Sequence, residues 1–499
     1  MRRIISMILA IVVILTPISS WAAPPIFSGG VNNEYKYEEM VFITGEPIKF
    51  VGELKEKEKI KDNEKTITYT LKLTPEDKSI DGKLDRSITL ITTYDKNKEK
   101  GQTIGQTIVD KYKESIKVGK DKYDLEDYQL SKSDVTDNRP ASDFYSGNLT
   151  GRKYYEINRD EGEVIVTISG SNTGYYNFWG STETLIINKD IESIKYTKDE
   201  DGNIDKESWN GNIEIQVSDS TTKTLRYNEN KADLSSIDGG HMRVTESGMV
   251  SRIKYNMPYE DDDEIDNKRR VKRTIELSNK KVPKIERLLV PKFRDIEGHW
   301  AVNHIKKLYS LDVFDETSEF FAPDIPIKRV EFTKAIIRAC DIRPSNEEEE
   351  KKRSRSRNKE PEVSPFKDVP VESPNYKYIK NALEKNIISG ISKDLFAPEK
   401  SLTRAQAITI LIRALGFQTK APTPGFYTSF NDDNEIPGWA KEGIYVAKEI
   451  GIINGDMKGN IYPNKILTRA EASAMLVSFL GFLERDLQKD YRENIINYN

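Results

Sequence analysis

The sequence predicts a multidomain chain: an all-β N-terminal module, sandwich or barrel, followed by an all-α domain of three helical repeats. Three observations predict it. From Val31 to about Leu277 apolar residues alternate with polar ones, and no long segment shows a 3.6-residue period. The last two-fifths of the chain repeats one design three times. A short helix-start signal stands at the same place in each copy, at Ile327–Glu331, Leu402–Gln406 and Leu467–Glu471.

The chain begins with Arg2 and Arg3, an apolar run from Ile4 to Leu15 and small residues up to Ala23. This is the pattern of a secretory signal peptide cut after Ala22, giving a leader at 1–22. About 12 apolar residues are too few to span a bilayer. No transmembrane segment is expected in the mature chain.

The β-rich module is expected over residues 23–290, as one unit or as two subdomains with a break near 137–150. Ile67, Tyr69, Leu71 and Leu73 alternate with Thr and Lys, as in a half-buried strand. Ile88, Leu90 and Thr92 do the same, and Val164–Ile168 is a denser apolar run. Ile213–Val217 and Thr224–Tyr227 read as a hairpin about a polar turn at Ser218–Thr222. Between Gly170 and Gly180 a glycine-rich loop is expected to carry Tyr175, Tyr176, Phe178 and Trp179. These rings either plug the end of a β core or meet a glycan or another surface protein.

Composition narrows the chemistry. The 499 residues are 32% charged with a formal net charge of −4, so no basic excess points to nucleic acid. Cys340 is the sole cysteine, so no intrachain disulfide forms. The three histidines, His241, His299 and His304, form no metal-binding motif, and no metal or cofactor is expected. The acidic run Asp261–Glu264 lacks the alternating spacing and glycine of a calcium loop. No nucleophile elbow, P-loop or dinucleotide fingerprint occurs, and no catalytic residue is assigned. A carboxylate pair of the glycosidase kind stays open.

Each repeat has an upstream Phe-x-Asp, at Phe293, Phe366 and Phe430, and a downstream Pro six residues before the arginine. Thr468 with Glu471, and Thr403 with Gln406, read as capping boxes, each worth about 1 kcal/mol. In the first copy Lys328 replaces the threonine, and Asp315 stands where the other copies have Gly390 and Gly455. The helix that follows is amphipathic, with Ile336, Leu411 and Leu476 at one core position and Cys340, Leu415 and Leu480 at another. Gly416 and Gly481 stand at expected helix ends. The repeats are bounded at 291–343, 363–420 and 426–486, with a charged insert at 344–362 expected to be disordered.

From Phe293 to about Arg485 the chain resembles three tandem S-layer homology (SLH) repeats. The resemblance implies a pseudo-threefold domain with grooves between repeats, which anchors exported proteins by binding a wall-linked polysaccharide, in many members pyruvylated. It assigns polysaccharide-binding roles to Arg329, Arg404 and Arg469, to Trp300 and Trp439, and to Gly390 and Gly455. An anionic sugar needs a bidentate cation, nearby backbone donors and an aromatic face, which is consistent with those residue types. The expected function is a non-enzymatic surface protein held on the cell wall. The alternative is a wall-anchored glycan-degrading enzyme with its site in the β region.

Overall fold

The computed structural model describes residues 27–97, 99–198, 204–228, 240–261, 264–289, 293–314, 318–342, 362–423 and 425–487. The expected leader, Asp315 and nearly all of the 344–362 insert lie outside the described residues.

The β module is one antiparallel meander. Strands β1 (Val31–Asn32), β2 (Tyr37–Val41), β3 (Ile48–Lys61), β4 (Glu64–Pro75), β5 (Gly82–Asn97), β6 (Gln102–Val118) and β7 (Asp121–Asn138) pair in chain order. So do β8 (Ser142–Ile157), β9 (Gly162–Asn177), β10 (Gly180–Lys198), β11 (Ile204–Asn228), β12 (Gly240–Asp261) and β13 (Glu264–Lys280). A short β14 (Lys284–Arg287) pairs with β12. So many long, twisted strands cannot stay flat, and the sheet curls. Its two ends meet: the Asn33 amide donates to Asn279, the Val282 N–H to Glu34, and the Ser251 hydroxyl to the Gly29 carbonyl at 2.6 Å. The result is a nearly closed barrel.

Alternation places the core. Val164, Val166 and Ile168 of β9 are buried, as are Leu185, Ile187 and Ile191 of β10 and Ile213, Ile215 and Val217 of β11. Registers such as Ile187↔Ile215 and Leu185↔Val217 keep each inward set on one face. The sequence does not announce a second feature of the interior. Arg86 lies between Glu39 and Glu114 at 2.8 and 2.7 Å, and Lys153 joins Glu114 at 2.7 Å. Burial opposes charge on both acids, but Arg86 holds each below the ordinary carboxylate range, helped at Glu114 by Lys153. This network crosses from β2 to β5, β6 and β8, and removing one partner would strand a buried charge.

Three sequence expectations change here. Strands β7 and β8 pair from Tyr123↔Ile157 to Asn138↔Asp143, so the stretch 137–150 lies within one sheet and marks no break. Ser218–Thr222 is the middle of β11, paired with both neighbours, not a hairpin turn. Its polarity reflects a polar level of the barrel interior, where Asp219 stands opposite Glu183. The Gly170–Gly180 stretch is mostly strand, with only a tight turn at its end. There the Asn177 side chain accepts from the N–H groups of Trp179 and Gly180 at 2.7 and 2.8 Å.

The repeats form helix pairs. The upstream helices are α1 (Val302–Ser310), α3 (Tyr376–Glu384) and α5 (Gly438–Glu449). The arginine-led helices are α2 (Arg329–Ala339), α4 (Arg404–Leu415) and α6 (Arg469–Gly481). Ile336, Leu411 and Leu476 are fully buried together, as the stripe requires. Cys340 shares that core, and burial pushes its thiol pKa far up, which makes it an inert packing group. Gly416 ends α4 in the left-handed region at φ 70°. Gly481 does not end α6. Its φ is −58°, and the helix runs on through a π-turn at Phe482–Asp486 that buries Phe482 and Leu483. No helix among the described residues is long and apolar enough to cross a membrane.

The two parts are packed together. Trp179 is 1% exposed and inserts into the helical core, where its indole N–H donates to the Ala339 carbonyl at 3.2 Å. The Ala141 N–H donates to Ala414 and Arg139 to Gly416, at 2.9 and 2.7 Å. The Asn177 amide donates to Leu483 at 3.5 Å. Each arginine-led helix thus finds a β-module partner for a carbonyl at its C-terminal end, where orphan acceptors need one.

Candidate polysaccharide-binding grooves

The three helix starts are joined in a ring. Ile327 N–H donates to Leu467, Leu467 N–H to Leu402, and Leu402 N–H to Ile327, all at 2.9–3.0 Å. Each arginine-led helix then docks onto the loop of the next repeat. The N–H groups of Arg329 and Val330 donate to Lys400 and Pro398; those of Arg404 and Ala405 donate to Lys465 and Pro463. Those of Arg469 and Ala470 donate to Ile325 and Pro323. The first backbone donors of every helix are therefore already bonded. The expected convergence of helix N–H groups with the guanidinium on one carboxylate does not occur, because the neighbouring loop carbonyls take those groups first.

The caps follow the sequence in two copies. Thr468 accepts from Glu471 N–H at 3.2 Å while Glu471 accepts from Thr468 N–H at 3.1 Å, and Thr403 with Gln406 does the same at 3.4 and 3.2 Å. The first copy keeps half a box: Glu331 accepts from Lys328 N–H at 3.0 Å, but a lysine side chain has nothing to accept with.

The arginines differ in what surrounds them. Arg329 is buried, with its side chain donating to the carbonyls of Phe396 and Ser389 at 3.0 Å each and lying over the Phe396 ring. Burial lowers its pKa, against the opposing pull of Asp368. Arg469 lies over Phe321 and pairs with Glu331 at 2.7 Å. Among the described residues the Arg404 guanidinium donates no hydrogen bond and its Nε is buried and unbonded, but Glu471 lies close enough that Arg404, after Lys465, helps to lower that carboxylate's pKa against burial. Ile461 replaces the phenylalanine beneath it, by the alignment of the repeats.

The other assigned residues divide. Trp300 and Trp439 are 60% and 56% exposed, the first in the turn just before α1 and the second at the start of α5, and the rings beneath Arg329 and Arg469 are phenylalanines instead. Gly390 is sterically required: a Cβ there would come within 2.2 Å of the Ser392 carbonyl oxygen. At Gly455 a Cβ would press on the Gly459 backbone at 3.0 Å. Tyr175 and Trp179 are buried against the helical core, Phe178 is half-buried against it, and only Tyr176 stays exposed. Contact with a glycan or another protein through this aromatic group is therefore ruled out for the two buried rings, since the helical domain covers them.

The sequence marked the Phe-x-Asp element as a repeat signature without giving it a task. The structure gives one. Asp295, Asp368 and Asp432 each accept from two successive N–H groups, those of Phe321–Ala322, Phe396–Ala397 and Ile461–Tyr462, at 2.6–3.1 Å. Ala322, Ala397 and Tyr462 have φ of 53°, 56° and 51°, a left-handed conformation costly for a side chain. The carboxylate holds the loop in that shape, directly beside the preceding repeat's arginine.

Comparison with known proteins agrees with this organisation. Residues 292–333, 365–408 and 429–473 match the S-layer homology domain family. The chain is 34% identical over 135 residues to an endoglucanase of Bacillus sp. (strain KSM-635), covering 26% of this chain and 14% of that one. It is 31% identical over 190 residues to exoglucanase XynX of Acetivibrio thermocellus, covering 38% and 16%. It is 34% identical over 109 residues to the surface-layer 125 kDa protein of Lysinibacillus sphaericus, covering 21% and 9%. The chain spans less than a fifth of the length of these relatives. With three tandem S-layer homology domains between residues 292 and 473, this is a cell-wall-anchored surface protein.

Proposed function

We propose that the three repeats form a pseudo-threefold domain that holds an anionic, pyruvylated secondary cell wall polysaccharide in its inter-repeat grooves, while the β module is displayed as a non-catalytic surface unit. The guanidinium of Arg404, between repeats two and three, carries this reading: it donates no hydrogen bond among the described residues and has only the charge of Glu471 nearby. A planar guanidinium whose N–H groups are not taken up by the protein matches a ketal carboxylate bidentately. Arg469 contributes after exchanging Glu331 for the ligand, and Arg329 serves mainly to lock repeat one onto repeat two. The ring of hydrogen bonds at Ile327, Leu402 and Leu467 supports the pseudo-threefold description. Trp300 and Trp439 offer exposed faces for sugar stacking.

The other reading is a wall-anchored glycan-degrading enzyme, suggested by the names of the endoglucanase and exoglucanase relatives. The chain covers only 14% and 16% of those proteins, and its share of the likeness fits the common anchor. The test is cosedimentation of the full chain with purified wall sacculi. Arg404→Ala should weaken retention most, Arg469→Ala less, and Arg329→Ala should act through lower stability. Release of reducing sugar from wall or plant polysaccharide, abolished by one carboxylate substitution in the β module, would favour the enzyme.

A further inference from the structure

We infer that the barrel mouth on the side away from the helical repeats is a second binding site, for a basic peptide segment carrying apolar side chains. In a meander every second hairpin turn falls at the same end. The β8–β9 and β6–β7 connections, with the facing ends of β10 and β11, lie opposite the ends that touch the helices at Ala141, Asn177 and Trp179. Together with the β2–β3 and β4–β5 connections they enclose a cavity of about 1520 Å³. That exceeds the ~300–1,000 Å³ of pockets for small organic ligands and suits a length of chain.

Its floor is apolar: Ile48, Val118, Tyr123, Ile157 and Trp209 line it, the last three buried. Its rim is acidic. Asp121 is neutralised by Lys195 at 2.6 Å and held by the Asn158 amide at 3.0 Å. Among the described residues the remaining charges on the lining are Glu46, Asp160, Glu161 and Glu207 against Lys120, four against one. The whole chain is nearly balanced at −4, so this excess is local. A cleft lined by one sign of charge over low-dielectric walls concentrates ligands of the other sign. The acidic rim therefore rejects the anionic polymer that the arginine grooves accept, and it selects cations. The apolar floor selects, among cations, those with aliphatic or aromatic side chains. Glu46, Asp160 and Glu161 stand exposed on turns, where they can meet a ligand without first breaking the fold.

The test uses the full chain and a fluorescein-labelled heptapeptide of alternating lysine and leucine, read by fluorescence anisotropy. Saturable binding is expected, weakening as salt rises because exposed charges are screened. The triple variant Glu46→Gln, Asp160→Asn, Glu207→Gln should lose about tenfold in affinity while keeping its melting temperature and its retention on sacculi. That retention separates this site from the wall-binding grooves. Equal binding of a heptapeptide with glutamate in place of lysine would overturn the inference. So would unchanged affinity in the triple variant, or displacement of the peptide by a neutral chito-oligosaccharide.

Discussion

Arg404 and Arg329 stand at the same place in two copies of one motif, yet their surroundings give them different tasks. Phe396 and the Ser389 carbonyl take up Arg329, so Arg329→Ala should strand two carbonyls and destabilise the helical domain by ~1–3 kcal/mol. A thermal melt of the variant measures this, and an unchanged melting temperature would show that Arg329 is not structural. The sequence made the arginines legible but not their order, because the order depends on what lies beneath each one: Phe396, Phe321 or Ile461. A second residue was illegible altogether. Glu183 is 3% exposed in the barrel, and burial raises its pKa from 4.5 to about 7, opposed by Lys132 and by a hydrogen bond from Asn172. An acid with a raised folded-state pKa stabilises fully below its unfolded value, and that stability is lost as pH rises from 4.5 through about 7. Glu183→Gln should therefore match the wild type near pH 4 and be more stable near pH 8, by ~3 kcal/mol at most. A variant less stable than the wild type at both pH values would contradict this.

At the scale of the element, the helix starts were readable because capping is local chemistry. Thr468 and Glu471 satisfy each other within four residues, and Thr468→Ala should cost about 1 kcal/mol. The strands were readable as strands because alternation is also local. Where they ended was not. Ser218–Thr222 carries turn-like residues, but a polar level of the barrel interior makes the same composition suit the centre of a 25-residue strand. The loops beside the arginines depended on Asp295, Asp368 and Asp432, whose partners lie 26–30 residues away. Asp432→Ala should release the N–H groups of Ile461 and Tyr462. Hydrogen exchange at those two amides should then rise well above that of the wild type, and binding through the adjacent Arg404 groove should fall with it. Unchanged exchange would mean that the loop holds its left-handed residue without the carboxylate.

At the scale of the whole molecule, the main surprise is that anchor and β module share a core. The aromatic group at 175–179 carried two readings in the sequence, and neither foresaw that the covering surface would be the helical domain. Local pattern cannot show this, since Trp179 meets Ala339 across 160 residues. Trp179→Ala should remove ~3–5 kcal/mol from that shared core. Calorimetry should then resolve two transitions in place of one, whereas a single unshifted transition would show that the parts are energetically separate. The contact that matters most for wall binding is a ligand carboxylate meeting Arg404. Titration of the full chain with solubilised wall polysaccharide, before and after mild acid removal of its ketal-linked pyruvate, tests that directly. The expected result is tight binding to the native polymer, reduced roughly tenfold or more both by Arg404→Ala and by depyruvylation, with no further loss when the two are combined. Equal affinity for native and depyruvylated polymer would contradict it.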